Sequence, residues 1–105
     1  MRAGRLDRLI LIQRKTTSAD SFGEPIETWA TVATVWAEMI PVRGQERYAA
    51  MQQIAEIDTV FRIRYRAGIT PLDRISYNSR LYDIKHVLEI GRFEGLELMT
   101  RTRAE

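Results

Sequence analysis

Residues 59–66, T-V-F-R-I-R-Y-R, alternate apolar Phe61, Ile63 and Tyr65 with Arg62, Arg64 and Arg66. A period of two marks a β-strand, because successive side chains leave an extended backbone on opposite faces. One face carries two aromatics and an isoleucine, and the other a ladder of three guanidinium groups. Ladder neighbours stand roughly 7 Å apart, where two like charges repel by roughly 0.6 kcal/mol in bulk water and by more near a protein surface. Such a row invites an acidic partner. The sequence leaves three open: carboxylates of an adjacent strand, carboxylates of another subunit, or phosphates.

The same reading extends along the chain. Residues 6–15 predict a first strand whose Leu9-Ile10-Leu11-Ile12 run is apolar on both faces, as expected of a strand covered on both sides. Residues 16–25 are small and polar with one Gly and one Pro, the composition of a loop, in which Phe22 reads either as a lid folded onto the core or as a partner contact. Residues 26–42 are rich in β-branched and aromatic types and predict one long or bent strand ending at Pro41. Trp29 and Trp36, seven apart, point to opposite faces unless a bulge intervenes, which puts one in the core and the other at a barrel end or against a neighbour. Residues 44–57 change character. Good helix formers with Ala50, Met51, Ile54 and Ile57 at helical spacing predict a single surface helix, docked through a narrow apolar stripe.

Beyond the ladder, residues 67–73 form a turn region and 74–78 a short strand. Asn78-Ser79 makes a tight turn into a strand over 80–90, with Tyr82, Ile84, His86, Leu88 and Ile90 on one face. A last strand follows at 96–103. The count is mainly β, a small antiparallel β-barrel or sandwich of about six strands with one helix between strands 2 and 3, all in a single domain over residues 1–105. A chain of 105 residues buries roughly two thirds of the surface its unfolded form exposes.

Composition narrows the function. Hydrophobic residues make up 45% and charged residues 29%, so the chain lacks the signature of disorder. It has no cysteine, which removes disulfides, thiolate nucleophiles and thiolate metal sites and suits a cytosolic or virion protein. No apolar run approaches the roughly 20 residues of a membrane helix, and no apolar run of signal-peptide length follows the basic start. Net charge is +2 but unevenly spread: residues 1–15 and 59–105 are basic and residues 16–58 acidic. Opposite charges segregated along one chain suit either pairing between its own strands or head-to-tail contact with a second copy. Arginine supplies all but two of the 16 cations, which favours planar multidentate contacts.

Catalysis finds no support. The sole histidine, His86, falls on an apolar strand face, the place of a core or rim histidine. Neither metal-ligand spacing nor a phosphate-cradling glycine loop appears, and no carboxylates pair for acid and base work, so no catalytic residue, metal or cofactor is expected. Nucleic-acid binding by a small barrel needs stacking platforms beside its cations. Here Phe61 and Tyr65 lie on the face opposite the arginines, and the near-balanced charge disfavours a strong phosphate binder.

Seven segments in order resemble the phage head-tail joining proteins, also called head closure, stopper or head-tail adaptor proteins of long-tailed phages and prophages. They are M-R-A-G-R-L-D-R at the start, D-S-F-G-E-P at 20–25, V-W-A-E-M at 35–39, G-Q-E at 44–46, F-R-I-R-Y-R-A-G-I at 61–69, R-I-S-Y at 74–77 and L-Y-D-I at 81–84. The resemblance spans nearly the whole chain. It implies a structural, non-enzymatic β-barrel that forms a ring of twelve subunits in the virion neck, with portal and adaptor ring proteins above and tail proteins below. It further implies assembly in the host cytoplasm and a segment between the second and third strands that faces the DNA channel, here Arg43, Gln45, Glu46, Arg47, Gln52 and Gln53, with nonspecific contact to genomic DNA. The residues named for subunit or partner contact are Arg62, Arg64, Arg66, Phe22 and Glu24, and the free protein is expected to be a monomer. A small nucleic-acid-binding barrel and a tail-side ring such as a tail terminator are the alternatives.

Overall fold

The computed structural model describes residues 6–42 and 57–103. Six strands, β1 (Arg8–Ala19), β2 (Pro25–Pro41), β3 (Thr59–Arg64), β4 (Arg74–Tyr77), β5 (Arg80–Ile90) and β6 (Gly95–Thr102), close into a barrel in the order β1-β2-β3-β6-β5-β4, every neighbour antiparallel. The expected β-rich class and six strands are therefore present. The expected helix and the candidate channel residues Arg43, Gln45, Glu46, Arg47, Gln52 and Gln53 lie outside the described residues, and Ile57, expected to end that helix, is buried and not helical.

Alternation places the core. Ile10, Ile12, Phe61, Ile63, Ile75, Tyr82, Ile84, Leu96 and Leu98 point inward and are almost fully buried. The Phe61 ring sits at the centre, edge-on to Tyr82 at 5.0 Å and to Tyr77 at 6.4 Å between centroids, the geometry preferred by opposed ring quadrupoles. A second cluster joins Val60 and Met99, neighbours across β3 and β6, to Val42 and Ile57 on the outer face. So the strand covered on both faces is not β1, as its apolar run predicts, but β6 with β3: Leu96 to Thr100 are all buried, Glu97 and Thr100 among them, whereas Leu9 on β1 is 48% exposed. Both stems of the 43–56 segment are pinned at this cluster, Val42 N–H donating to the Asp58 carbonyl (3.1 Å) and Asp58 N–H to that of Thr100 (2.9 Å).

Two bulges reset the alternation. Between β1 and β2 the register passes from Ile12↔Ala33 to Gln13↔Thr31, so Val32 is an extra residue. Trp29 then pairs with Lys15 and Trp36 with Leu9, positions six apart on one regular strand, and both indoles lie outside the barrel. Neither tryptophan enters the core, because the inner positions of β2 are the small or half-buried Ala33, Val35, Ala37 and Met39. Between β5 and β6 the extra residue is Lys85, and beyond it Val87 points inward opposite Leu98. That turns His86 and Leu88 outward, and His86 is exposed rather than in the core or rim of an apolar face.

The loop expected at 16–25 is mostly strand. β1 and β2 continue past the barrel as a two-stranded ribbon, tied by the Thr16 and Thr28 hydroxyls at 2.7 Å and by Lys15 to Glu27 at 2.9 Å. Both faces of the ribbon are wet, which is why small polar residues suffice there. Only 20–24 turn, with Gly23 at φ +82° and Asp20 Oδ1 accepting from the N–H groups of Phe22 and Glu24, each at 2.9 Å. The expected Asn78-Ser79 turn forms with both residues at positive φ, 51° and 63°, as a tight hairpin requires.

The guanidinium ladder is shorter than its sequence suggests, since β3 ends at Arg64. Arg62 lies between Glu38 on β2 and Glu97 on β6, paired in register with both. Its Nη1 donates to Glu38 at 3.3 Å and its Nη2 to Glu97 at 3.1 Å; the Glu97 side chain is wholly buried. Removing one member of a buried ion pair leaves the other charge desolvated, a cost of about 3–5 kcal/mol. Arg62→Met is therefore expected to lower the unfolding free energy by about 3 kcal/mol in urea denaturation, and Arg64→Met, at an exposed position, by less than about 0.5 kcal/mol.

Candidate docking surfaces

The base of the ribbon is bolted to the barrel. β1 meets β4 over three residues only, Leu11↔Ser76, Ile12↔Ile75 and Gln13↔Arg74. Immediately beyond, Arg14 reaches Asp73 in a two-pronged pair, Nε to Oδ1 at 2.9 Å and Nη2 to Oδ2 at 3.1 Å, and Nη2 also donates to the Gly68 carbonyl. The Asp73 carboxylate is buried and accepts the Thr70 N–H as well (3.0 Å), so one side chain holds both the 67–73 turn and the strand. The hydrogen bond and charge of Asp73 raise the Arg14 pKa above its ordinary value. This contribution is complete below the unfolded-state pKa and is lost only as pH rises through the still higher folded value. It does not vary across neutral pH.

On the outer side of the same junction Arg74 lies over Trp29 at 4.0 Å from the ring centroid, with Arg103 at 5.6 Å. Arg74 Nε donates to Gln13 Oε1 at 2.7 Å, and Arg103 forms a two-pronged pair with Asp83. Burial lowers the Arg74 pKa, Arg103 lowers it further, and Asp83 partly offsets both. Trp29 is thus a structural platform. Beside it Leu72, 81% exposed, and the stems of Lys15 and Lys85 border an open groove of about 810 Å³.

From this junction six residues of β1, 14–19, carry the ribbon about 20 Å outward. At its tip Phe22 is 89% exposed, which rules out the lid. Asp20 and Glu24 make the tip acidic, and among the described residues the Glu24 carboxylate has no cation within ion-pair distance.

At the other end of the molecule, where β1 begins and β3 ends, a cleft of about 270 Å³ is lined by Leu6, Val35, Trp36, Arg64, Tyr65 and Arg66. Trp36 is 55% exposed. Tyr65 continues into an edge-to-face contact with Phe93 at 4.9 Å, and Phe93 is itself 62% exposed. Among the described residues neither Arg64 nor Arg66 has a carboxylate within ion-pair distance.

The five residues expected to form contacts thus divide. Arg62 is committed to Glu38 and Glu97 inside the sheet; Arg64 and Arg66 border the cleft; Phe22 and Glu24 stand on the tip. The sequence does not point to Leu6 as a cleft residue, to Phe93 as the ring that continues from Tyr65, or to Asp73 as the anchor of the ribbon, and it places only one of the two tryptophans outside the core. An outward Trp36 is legible in the chain to the extent that one bulge between the two tryptophans returns both to the same face. Among the described residues no cluster of three histidines, aspartates or glutamates could hold a metal ion.

Comparison with known proteins agrees along the whole chain. A family model described as phage head completion protein matches residues 1–102. The head completion protein gp7 of Enterobacteria phage HK97 is 27% identical over 111 residues, covering 100% of this chain and 99% of that one. Among solved structures, protein SF1141 of Shigella flexneri 2a is 31% identical and superposes with a TM-score of 0.79, covering 100% and 99% of the two chains. A chain of the virion of a native gene transfer agent particle shares the fold, with a TM-score of 0.64 at 24% identity over 91% of this chain and 93% of that one.

If Asp73 anchors the ribbon, Asp73→Ala removes charge-assisted hydrogen bonds worth about 2–3 kcal/mol of unfolding free energy. Amide hydrogen exchange should quicken first in residues 14–17 and 28–31. Unchanged stability and unchanged ribbon exchange would show that Asp73 holds neither element.

Proposed function

The chain belongs to the phage head completion protein family, and on that premise we propose that it is a structural protein of the virion neck which closes the DNA-filled head and joins it to the tail. The family match over nearly the whole length carries the reading. The structure supports it with a packed barrel that holds two docking surfaces apart. In this proposal about twelve copies form a ring, with portal or adaptor proteins on one side and tail proteins on the other. The 43–56 segment faces the channel and makes nonspecific contact with the genome. Assembly takes place in the host cytoplasm, from free monomers.

The physical demands of that role fit the molecule. A ring around DNA needs modest, nonspecific electrostatics, which salt screens over about 8 Å at physiological ionic strength, and net charge is only +2. Unlike surfaces on one chain favour heterologous contacts, which close into rings when the rotation permits. A nucleic-acid-binding barrel is the weaker reading. Phe61 points into the core, and Arg62 is engaged by two carboxylates, so neither is available to a strand of nucleic acid.

Deleting the gene from a producing phage or prophage is expected to leave DNA-filled heads that lack tails, visible by negative-stain electron microscopy. Normal tailed virions from the deletion would remove the proposal, and empty heads beside free tails would move the protein to an earlier step.

A further inference from the structure

The two ends of the molecule complement each other. The ribbon tip offers one exposed aromatic ring, Phe22, beside the carboxylate of Glu24. The far cleft offers an apolar floor, with Trp36 and Tyr65, rimmed by Arg64 and Arg66. The 15 residues of extended chain from Leu6 to Asp20 put tip and cleft about 45 Å apart, within a molecule whose longest dimension is 50 Å. The tip therefore cannot reach its own cleft.

We propose that the Phe22 tip of one copy seats in the Trp36–Tyr65 cleft of the next, with Glu24 against Arg64 and Arg66. The occupant is a second copy of this chain because both halves of the contact occur on every chain in equal number and with opposite charge. The contact is heterologous: each copy gives a tip and receives one, so the series propagates until it closes. A desolvated aromatic anchor ringed by contacts that exclude water is the usual form of an interface hot spot. The inference rests on the ring proposed above and names its lateral contact. It gives the ribbon a use that the barrel does not explain, since a two-stranded ribbon with both faces wet adds little stability of its own.

The absence of cysteine allows a direct test. Ser21→Cys beside the tip and Ala67→Cys beside the cleft leave every proposed contact residue in place, and both positions are exposed. Mixed at about millimolar concentration with diamide as oxidant, these two variants are expected to give disulfide-linked dimer at least tenfold above a mixture of Ser21→Cys with Lys85→Cys, and the double variant is expected to give a ladder of higher oligomers. Adding Glu24→Arg should return the yield to the control level, and combining it with Arg66→Glu on the partner should restore it. Equal yields from the two mixtures, a yield indifferent to Glu24→Arg, or a dominant Ser21→Cys homodimer would overturn the proposal. Tailless filled heads from the gene deletion would leave the head-closing role standing even then.

Discussion

The structure turns on a seam only three residues long, where β1 meets β4 at Leu11, Ile12 and Gln13. Without it the sheet would be an open curl with two unpaired edges, a liability in any soluble β protein. With it the barrel closes over Phe61. The same strand then leaves the barrel and becomes the ribbon, so closure and projection depend on the same few bonds. Arg14 with Asp73 on one side, and Trp29 beneath Arg74 on the other, brace the point of departure. The bulge at Val32 lets β2 follow the change of direction.

A molecule built this way separates its tasks. The core, Ile10 through Leu98, supplies stability, and the Glu38–Arg62–Glu97 row fixes the alignment of three neighbouring strands through charge. The exposed aromatic residues of the tip and the cleft lie elsewhere, at two ends separated by the length of β1. Such separation suits a protein that must touch neighbours in different directions without deforming. It also assigns the arginines of one strand to different duties. Arg62 has its charge satisfied by the sheet, and Arg64 and Arg66 border the cleft with no carboxylate within ion-pair distance among the described residues.

Much of this was legible from the chain. Strict alternation at 59–64 identified a strand with a buried face, and Asn78-Ser79 identified a turn, because both signals are local. Four features were not. His86 was assigned to the face of Tyr82 and Ile84 because a count by twos cannot see the extra residue at Lys85. The ribbon looks like a loop in the sequence because strands with two wet faces and loops share a polar composition. Glu97 was not foreseen as the partner of Arg62, since which strands neighbour β3 is decided by contacts 35 residues away in sequence. The cleft followed the same rule: Leu6, Trp36 and Tyr65 meet only once the barrel has closed. Local pattern points to most of the elements, and non-local register decides which residues are left exposed.

Held by the seam at its base, the ribbon is expected to behave as a rigid extension of the barrel. Backbone 15N relaxation of the free protein tests this most directly. Order parameters near the rigid-backbone value of about 0.85 through 14–17 and 28–31, equal to those of β3 and β6, are the predicted result. Values below about 0.6 beginning at Arg14, with the barrel strands still rigid, would contradict it.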